Sequence, residues 1–379
     1  MNDPNGFSFY KGECHLFYQY HPYSNEWGPM HWGHLKTRDF LRWERLPAAL
    51  APDQDYDSAG CFSGGAVELP DGRQLLLYTG VRRGHNADGY LQDIQTQCLA
   101  IGDGVNYEKW GDNPILDEKD LPQGGSTIDF RDPKVWRDPD GVFYTVVGNR
   151  TADGSGAILM YRSIDGLKWE FVRTLDACHN QYGKMWECPD FFPLDGRQVL
   201  ITSPQEMSPV GLEFHAGNGT LCLIGEYSPD KGFTRQSAQA IDYGLDFYAP
   251  QTLAAPDGRR IMIAWMQNWD TAKAKPCNCR WFGQMTLPRE LSVKNGRLIQ
   301  NPVRELESCR GARVVHQNIP VCGEIKLRVI LDRFSVEVFV NDGEQVASAV
   351  IYTRQSADAI TFEAGGSAVI DVEKYDLVF

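Results

Sequence analysis

Gly6-Phe-Ser-Phe-Tyr-Lys-Gly-Glu-Cys-His-Leu-Phe-Tyr-Gln-Tyr20 is two aromatic-rich runs on either side of Lys11-Gly12. Such runs broken by a glycine turn read as a β-hairpin. The same plan returns four times. Ser63 to Gly80 turns at Asp71-Gly72, and Asp132 to Val147 turns at Asp140-Gly141. Glu187 to Ile201 turns at Asp195-Gly196, and Ala249 to Trp265 turns at Asp257-Gly258. The starts recur every 55 to 70 residues or so, about the length of a four-stranded blade with its loops. One such sheet cannot bury both its faces alone, whereas five stacked radially can. The chain is therefore expected to be all-β, with a five-bladed β-propeller over residues 1–300. The competing reading is a β-sandwich or a set of unrelated hairpins, neither of which requires the repetition.

Beyond the repeat the character changes. Residues 301–312 form a helix-like linker carrying Val303 and Leu306. From residue 313 to 379, Lys326 to Val340 alternates as one run, turns at Asn341-Asp342-Gly343 and continues from Val346 to Tyr352. This reads as a small, shortened β-sandwich that depends on the propeller for cover.

Composition narrows the partners. The net charge is −13 over 379 residues, which disfavours nucleic acid and anionic membrane surfaces. A neutral small molecule fits this field more readily than a phosphorylated one, which needs a local basic pocket. The sequence holds no apolar run long enough for a membrane-spanning helix and no visible signal peptide. The ten cysteines show neither a CxxC pair nor a Cys/His metal frame, so free thiols in a reducing, cytoplasmic setting are expected. No metal or cofactor is called for.

Three acidic residues stand where units begin: Asp3 in Asn2-Asp3-Pro4-Asn5-Gly6, Asp132 in Arg131-Asp132-Pro133, and Glu187 in Trp186-Glu187-Cys188-Pro189. Alone, each is a turn or a solvated loop residue. Together they fall at one phase of the repeat, and equivalent loops of a propeller converge on its axis. Two carboxyl groups flanking a glycosidic bond are the working parts of glycoside hydrolysis. The turn around Asp3 offers N–H and amide groups that favour the anion, and Arg131 beside Asp132 does the same. An ammonium group on Met1 would lower the pKa of Asp3 further. The aromatic surroundings of Glu187 and nearby anions favour its protonated form.

These motifs, with Phe62-Ser63-Gly64, His31-Trp-Gly-His34, Phe247-Tyr-Ala-Pro-Gln-Thr252, Leu287-Pro-Arg-Glu-Leu291 and Asp332 to Val340, resemble glycoside hydrolase family 32. That family comprises invertases, fructanases and sucrose-6-phosphate hydrolases. The resemblance covers nearly the whole chain and implies a propeller followed by a sandwich, with a retaining mechanism. It implies Asp3 as nucleophile, Glu187 as general acid/base and Asp132 as transition-state stabiliser. Asn2, Gln19, Trp27, Phe62, Ser63, Arg131, Cys188, Tyr248 and Trp265 are implied to bind the substrate. The sequence departs from the family in three places. Members usually carry a segment before the first motif that helps close the ring, so upstream chain is expected. Gly65 stands where a hydroxyl residue is usual. Val314 to Arg328 is short for the sandwich.

The expected activity is a β-fructofuranosidase acting on sucrose or sucrose 6-phosphate. A fructan hydrolase, a five-bladed arabinofuranosidase or xylosidase, and a non-catalytic sugar-binding propeller are the alternatives. Lys36, Arg38, Arg82, Arg83 and His85 are candidate phosphate contacts, set against their reading as solvated loop charge.

Overall fold

The computed structural model describes residues 1–85, 88–274, 281–313, 325–352 and 372–377. Apolar residues in its strands run continuously: Leu75-Leu-Leu-Tyr78 and Ile158-Leu-Met-Tyr161 are buried throughout. A strand covered on both faces has this signature, because successive side chains point to opposite sides. Leu75 and Leu77 join one hydrophobic cluster with Phe130, Val135 and Phe143, while Leu76 and Tyr78 join another with Phe17 and Trp32. Val146 and Ile158 face a third cluster, and Val147 and Leu159 return to the first.

Five four-stranded antiparallel sheets result, each a blade with its strands in sequence order. The innermost strands are Pro4–Tyr10, Gly60–Glu68, Phe130–Arg137, Trp186–Leu194 and Tyr248–Ala254. Each packs on the next, and the fifth packs on the first. Five apolar clusters fill the five seams between blades. The last seam, between blades five and one, is closed by Phe7, Leu16, Leu253 and Ile261. There the Phe7 N–H also donates to Gln251 Oε1 at 3.3 Å.

After blade five, Arg304–Cys309 forms a 3₁₀ helix. A small three-stranded sheet follows, Leu327–Asp332, Ser335–Val340 and Gln345–Val350, and Arg310–Arg313 pairs with Tyr375–Leu377. The run from Lys326 to Val340 is thus two strands rather than one. Asp332 pairs with Ser335 across a tight turn at Arg333-Phe334, and neither turn residue has positive φ. No glycine or asparagine is needed there, so the usual hairpin signal is missing. The shortened stretch from Val314 to Arg328 falls largely outside the described residues.

The small sheet is bound to the propeller by a buried ion network. The Arg289 guanidinium meets Asp242 Oδ2 at 3.0 Å, Glu337 Oε2 at 2.7 Å and Ser348 Oγ at 2.6 Å. It also lies over the Phe247 and Phe339 rings at 4.7 and 5.5 Å. The described cysteines, Cys14, Cys61, Cys98, Cys178, Cys188, Cys222 and Cys309, are free and buried.

Candidate active site

Every inner strand breaks register near one end of the ring: between Asn5 and Ser8, Phe62 and Gly64, Arg131 and Lys134, Glu187 and Asp190, and Tyr248 and Gln251. A bulge bends the strand and re-aims its side chains. Gly6, Asp132, Cys188 and Ala249 take up the bend at φ of +51°, +65°, +47° and +51°. Asp132, Cys188 and Ala249 each precede a proline, which disfavours the right-handed helical region for that residue.

The register corrects the expected single phase of the acids. Arg131, Glu187 and Tyr248 occupy the same step, the last pair before the bulge. Asp132 comes one residue later, and Asp3 lies ahead of the paired strand. The three acids meet at one mouth of the ring without being strict equivalents, and of the three only Asp132 sits in a bulge itself.

Their contacts interlock. Ser63 Oγ donates to Asp3 Oδ2 at 2.9 Å, and Asn2 Nδ2 donates to Asp3 Oδ1 at 3.2 Å. Cys188 Sγ approaches Asp3 Oδ2 at 3.9 Å, while the Cys188 N–H donates to Asp132 Oδ2 at 3.0 Å. Arg131 Nε lies 3.0 Å from Glu187 Oε1 and 3.9 Å from Asp132 Oδ2. Asp129 Oδ1 fixes the other side of that guanidinium at 2.8 Å. Tyr248 Oη lies 2.6 Å from Glu187 Oε2 and 3.1 Å from the Ser203 carbonyl oxygen. Gln19 is buried beside this group, its backbone paired with Asn2 and Asp3 and its amide donating to the Cys61 carbonyl at 3.0 Å.

The electrostatics differ from expectation at both aspartates. Burial, then the charge of Glu187, raises Asp3 to about 6 against the opposing bonds from Ser63 and Asn2. Burial and Glu187 likewise raise Asp132 to about 7, although Arg131 opposes the rise. Desolvation and the charge of Glu187 outweigh the turn at Asp3 and the adjacent arginine at Asp132, whose guanidinium is also shared with Asp129 and Glu187. The Met1 ammonium is bonded to the Phe282 carbonyl at 2.6 Å, and Asp3 is raised, not lowered. The aromatic neighbours of Glu187 in sequence do not surround its carboxyl: Trp186 and Phe191 pack into the seam between blades three and four, Phe192 into the next. Burial and the flanking carboxylates hold the Cys188 thiol well above its ordinary pKa, so it stays protonated.

Two aromatic expectations separate. Trp27 is half exposed on the rim, edge-on to Phe62 at 5.9 Å. Trp265 is fully buried against Tyr248, Trp269 and Phe282, so its ring is not on the open wall. Below the acids, Lys134 binds Asp190 Oδ2 at 3.2 Å and the Thr252 carbonyl at 2.6 Å. Gln251 donates to the Gly64 carbonyl at 2.8 Å, and together these groups fill the axis.

Of the candidate phosphate contacts, Lys36 and Arg38 are bound to Glu13 at the far end of blade one, away from the acids. Arg82, Arg83 and His85 lie at the near end, on the hairpin arm of blade two. Beside the mouth is a cavity of about 630 Å³, whose lining includes Asn2, Tyr20, His21, Trp27, Arg45 and Trp281. Arg45 Nη2 donates to Tyr20 Oη at 3.2 Å and makes no ion pair among the described residues. Sequence reasoning missed Arg45, Asp129 and Ser203. Only Asp129, an acid two residues before the Arg131 motif, gave a usable signal.

Comparison with known proteins now adds to this geometry. The model for the glycosyl hydrolases family 32 N-terminal domain matches residues 1–302, and that for the family 32 C-terminal region matches residues 289–377. A sucrose-6-phosphate hydrolase of Zymomonas mobilis is 42% identical over 320 residues, covering 82% of this chain and 61% of that protein. The chain thus spans about three fifths of that relative's length. A raffinose invertase of Escherichia coli is 36% identical, covering 98% of this chain and 91% of the relative. Among solved structures, a mutant Bombyx mori β-fructofuranosidase in complex with sucrose superposes with a TM-score of 0.83 at 33% identity. It covers 93% of this chain and 86% of its own. The sucrose-6-phosphate hydrolase of Lactobacillus gasseri gives 0.85 at 26% identity, over 99% of this chain and 90% of its own.

Proposed function

This chain belongs to glycosyl hydrolase family 32, and on that premise we propose that it is a retaining β-fructofuranosidase acting on sucrose or sucrose 6-phosphate. The observation that carries the reading is the interlocked group of Asp3, Asp132 and Glu187, with Arg131 joining the last two and Cys188 bridging the first two. With Asp3 raised to about 6 and Asp132 to about 7, like charges oppose full ionisation near neutral pH. Retaining hydrolysis needs one carboxylate and one carboxylic acid at the same moment, and repulsion among neighbouring carboxyls disfavours the state in which all are ionised.

In the proposed sequence, Asp3 attacks the anomeric carbon of the fructosyl unit while Glu187 protonates the departing glycosidic oxygen. The glucose or glucose 6-phosphate leaves, and the fructosyl unit stays ester-linked to Asp3. Glu187 then takes a proton from water, which attacks the same carbon and frees Asp3. Asp132 holds sugar hydroxyls and offsets positive charge at the ring. The Tyr248 hydroxyl has one proton and two acceptors. When Glu187 presents its proton to the glycosidic oxygen, Tyr248 donates to the Ser203 carbonyl. When Glu187 is ionised, Tyr248 donates to it instead. One side chain thus serves both protonation states of an acid that must become a base.

Asn2, Gln19, Phe62, Ser63 and Arg131 would surround the fructosyl unit, with Trp27 at the rim. The leaving group would face the neighbouring cavity, where Arg45, among the described residues, is a cation that a phosphate could meet. Free buried thiols suit a reducing, cytoplasmic setting, and no helix among the described residues is long and apolar enough to cross a membrane. The direct test is kcat/KM on sucrose, sucrose 6-phosphate and inulin, with NMR of the first fructose released. Retention predicts the β-furanose anomer; the α-anomer, or no cleavage of any of the three, contradicts the reading. Carboxyl chemistry needs no metal, so EDTA should leave the rate unchanged, and strong inhibition would count against it.

A further inference from the structure

One buried hydroxyl stands between two of the three acids. Thr79, on the second strand of blade two, is fully buried. Its Oγ1 accepts the Asp132 N–H at 2.9 Å. For its own proton it has two acceptors, Gln97 Oε1 at 3.0 Å and the Ser63 carbonyl at 3.3 Å. Gln97 Nε2 in turn donates to the Phe130 carbonyl at 2.7 Å, and Gln95 Oε1 accepts the Phe130 N–H at 2.9 Å. A threonine and two glutamines on blade two therefore hold the backbone that presents Arg131 and Asp132.

That backbone needs holding. Asp132 sits at φ +65°, the left-handed region in which a Cβ crowds the following carbonyl. Ser63, whose carbonyl is one of the two acceptors of Thr79, is the residue whose hydroxyl bonds Asp3. A single oxygen thus touches the backbones that fix both aspartates. We infer that Thr79, backed by Gln97, is a positioning residue that sets Asp132 against Asp3. The inference rests on the fructosidase reading for its catalytic use. Thr79 itself is too deeply enclosed to meet a substrate.

Valine has the shape of threonine without the hydroxyl, so Thr79→Val keeps the packing and leaves the Asp132 N–H unpaired. Thr79→Ser keeps the bond. On sucrose, Thr79→Val should lose about 30-fold in kcat per folded molecule with KM changed by less than about 3-fold, as expected for loss of transition-state alignment. Thr79→Ser should stay within about 3-fold of the parent. A Thr79→Val enzyme with the parent's kcat overturns the inference. Where Thr79→Val fails to fold, Gln97→Met removes the same support from behind and should give the same pattern. A ¹³C carboxyl titration of Asp132 needs no substrate. The curve should move in Thr79→Val and not in Thr79→Ser, and an unmoved curve in Thr79→Val also overturns the inference. A parent protein that cleaves no fructoside, with the titration still shifted in Thr79→Val, overturns the fructosidase reading and supports the positioning role.

Discussion

At the scale of single residues, Asp3 and Asp132 are both buried and both face the charge of Glu187. Asp3, Asp132 and Glu187 stand out as acids in turns, but the sign of a pKa shift depends on what folds around the group. Asp3 is raised to about 6 because burial and Glu187 outweigh Ser63 and Asn2. A proposed nucleophile must be ionised, so kcat/KM should fall as pH drops through about 6. Ser63 opposes the rise by donating to the anion. Ser63→Ala should therefore move the acidic limb to higher pH, by roughly half a unit to one unit. A pH–rate profile checks this, and a limb that stays put or moves to lower pH would contradict the assignment to Asp3.

At the scale of elements, the five inner hairpins were legible because each turns on a glycine between apolar runs. Three features were hidden. The Arg333-Phe334 turn carries no special residue, and the entrance bulges depend on pairing with a neighbour that no local pattern reveals. A third hidden feature is the seam between blades one and two. There His15 Nδ1 meets His34 Nε2 at 2.9 Å, His34 stacks on Phe17 at 4.0 Å, and His34 Nδ1 is buried without a partner. One proton lies between the two rings, and burial is the main reason His15 falls to about 4 and His34 to about 3. Unfolded histidines titrate near 6.5, so above that pH the pair has no linkage effect. Below it the unfolded state takes up protons that the folded seam refuses, and stability falls until about pH 4 for His15 and about pH 3 for His34. Each histidine should cost about 2 kcal/mol at pH 5. His34→Gln should lessen the loss between pH 7.5 and 5, measured by urea unfolding at both values. An unchanged difference would remove the seam as the cause.

At the scale of the whole molecule, the propeller was readable from its repeat, whereas its dependence on the small C-terminal sheet was not. That dependence lies in Arg289, Asp242, Glu337 and Ser348, which are far apart in sequence and fully or almost fully buried together. The motif Leu287 to Leu291 marked a resemblance without showing that its arginine is the bolt between the units. Arg289→Met should destabilise by about 3–5 kcal/mol by leaving two buried carboxylates unpaired. Thermal unfolding of the parent should show one transition. Two separate transitions in the parent, or a loss under about 1 kcal/mol in the variant, would show that the network does not join the units.

The propeller's purpose, on this account, is to present Asp3 to a fructosyl unit as a covalent nucleophile. The most direct measurement is mass spectrometry of a Glu187→Gln protein reacted with β-fructofuranosyl fluoride. Fluoride departs without acid help, while hydrolysis of the intermediate needs the missing base. The account predicts a fructosyl adduct of about 162 Da on the peptide carrying Asp3. An adduct on the peptide carrying Asp132, or turnover of the fluoride with no adduct at any time, would contradict it.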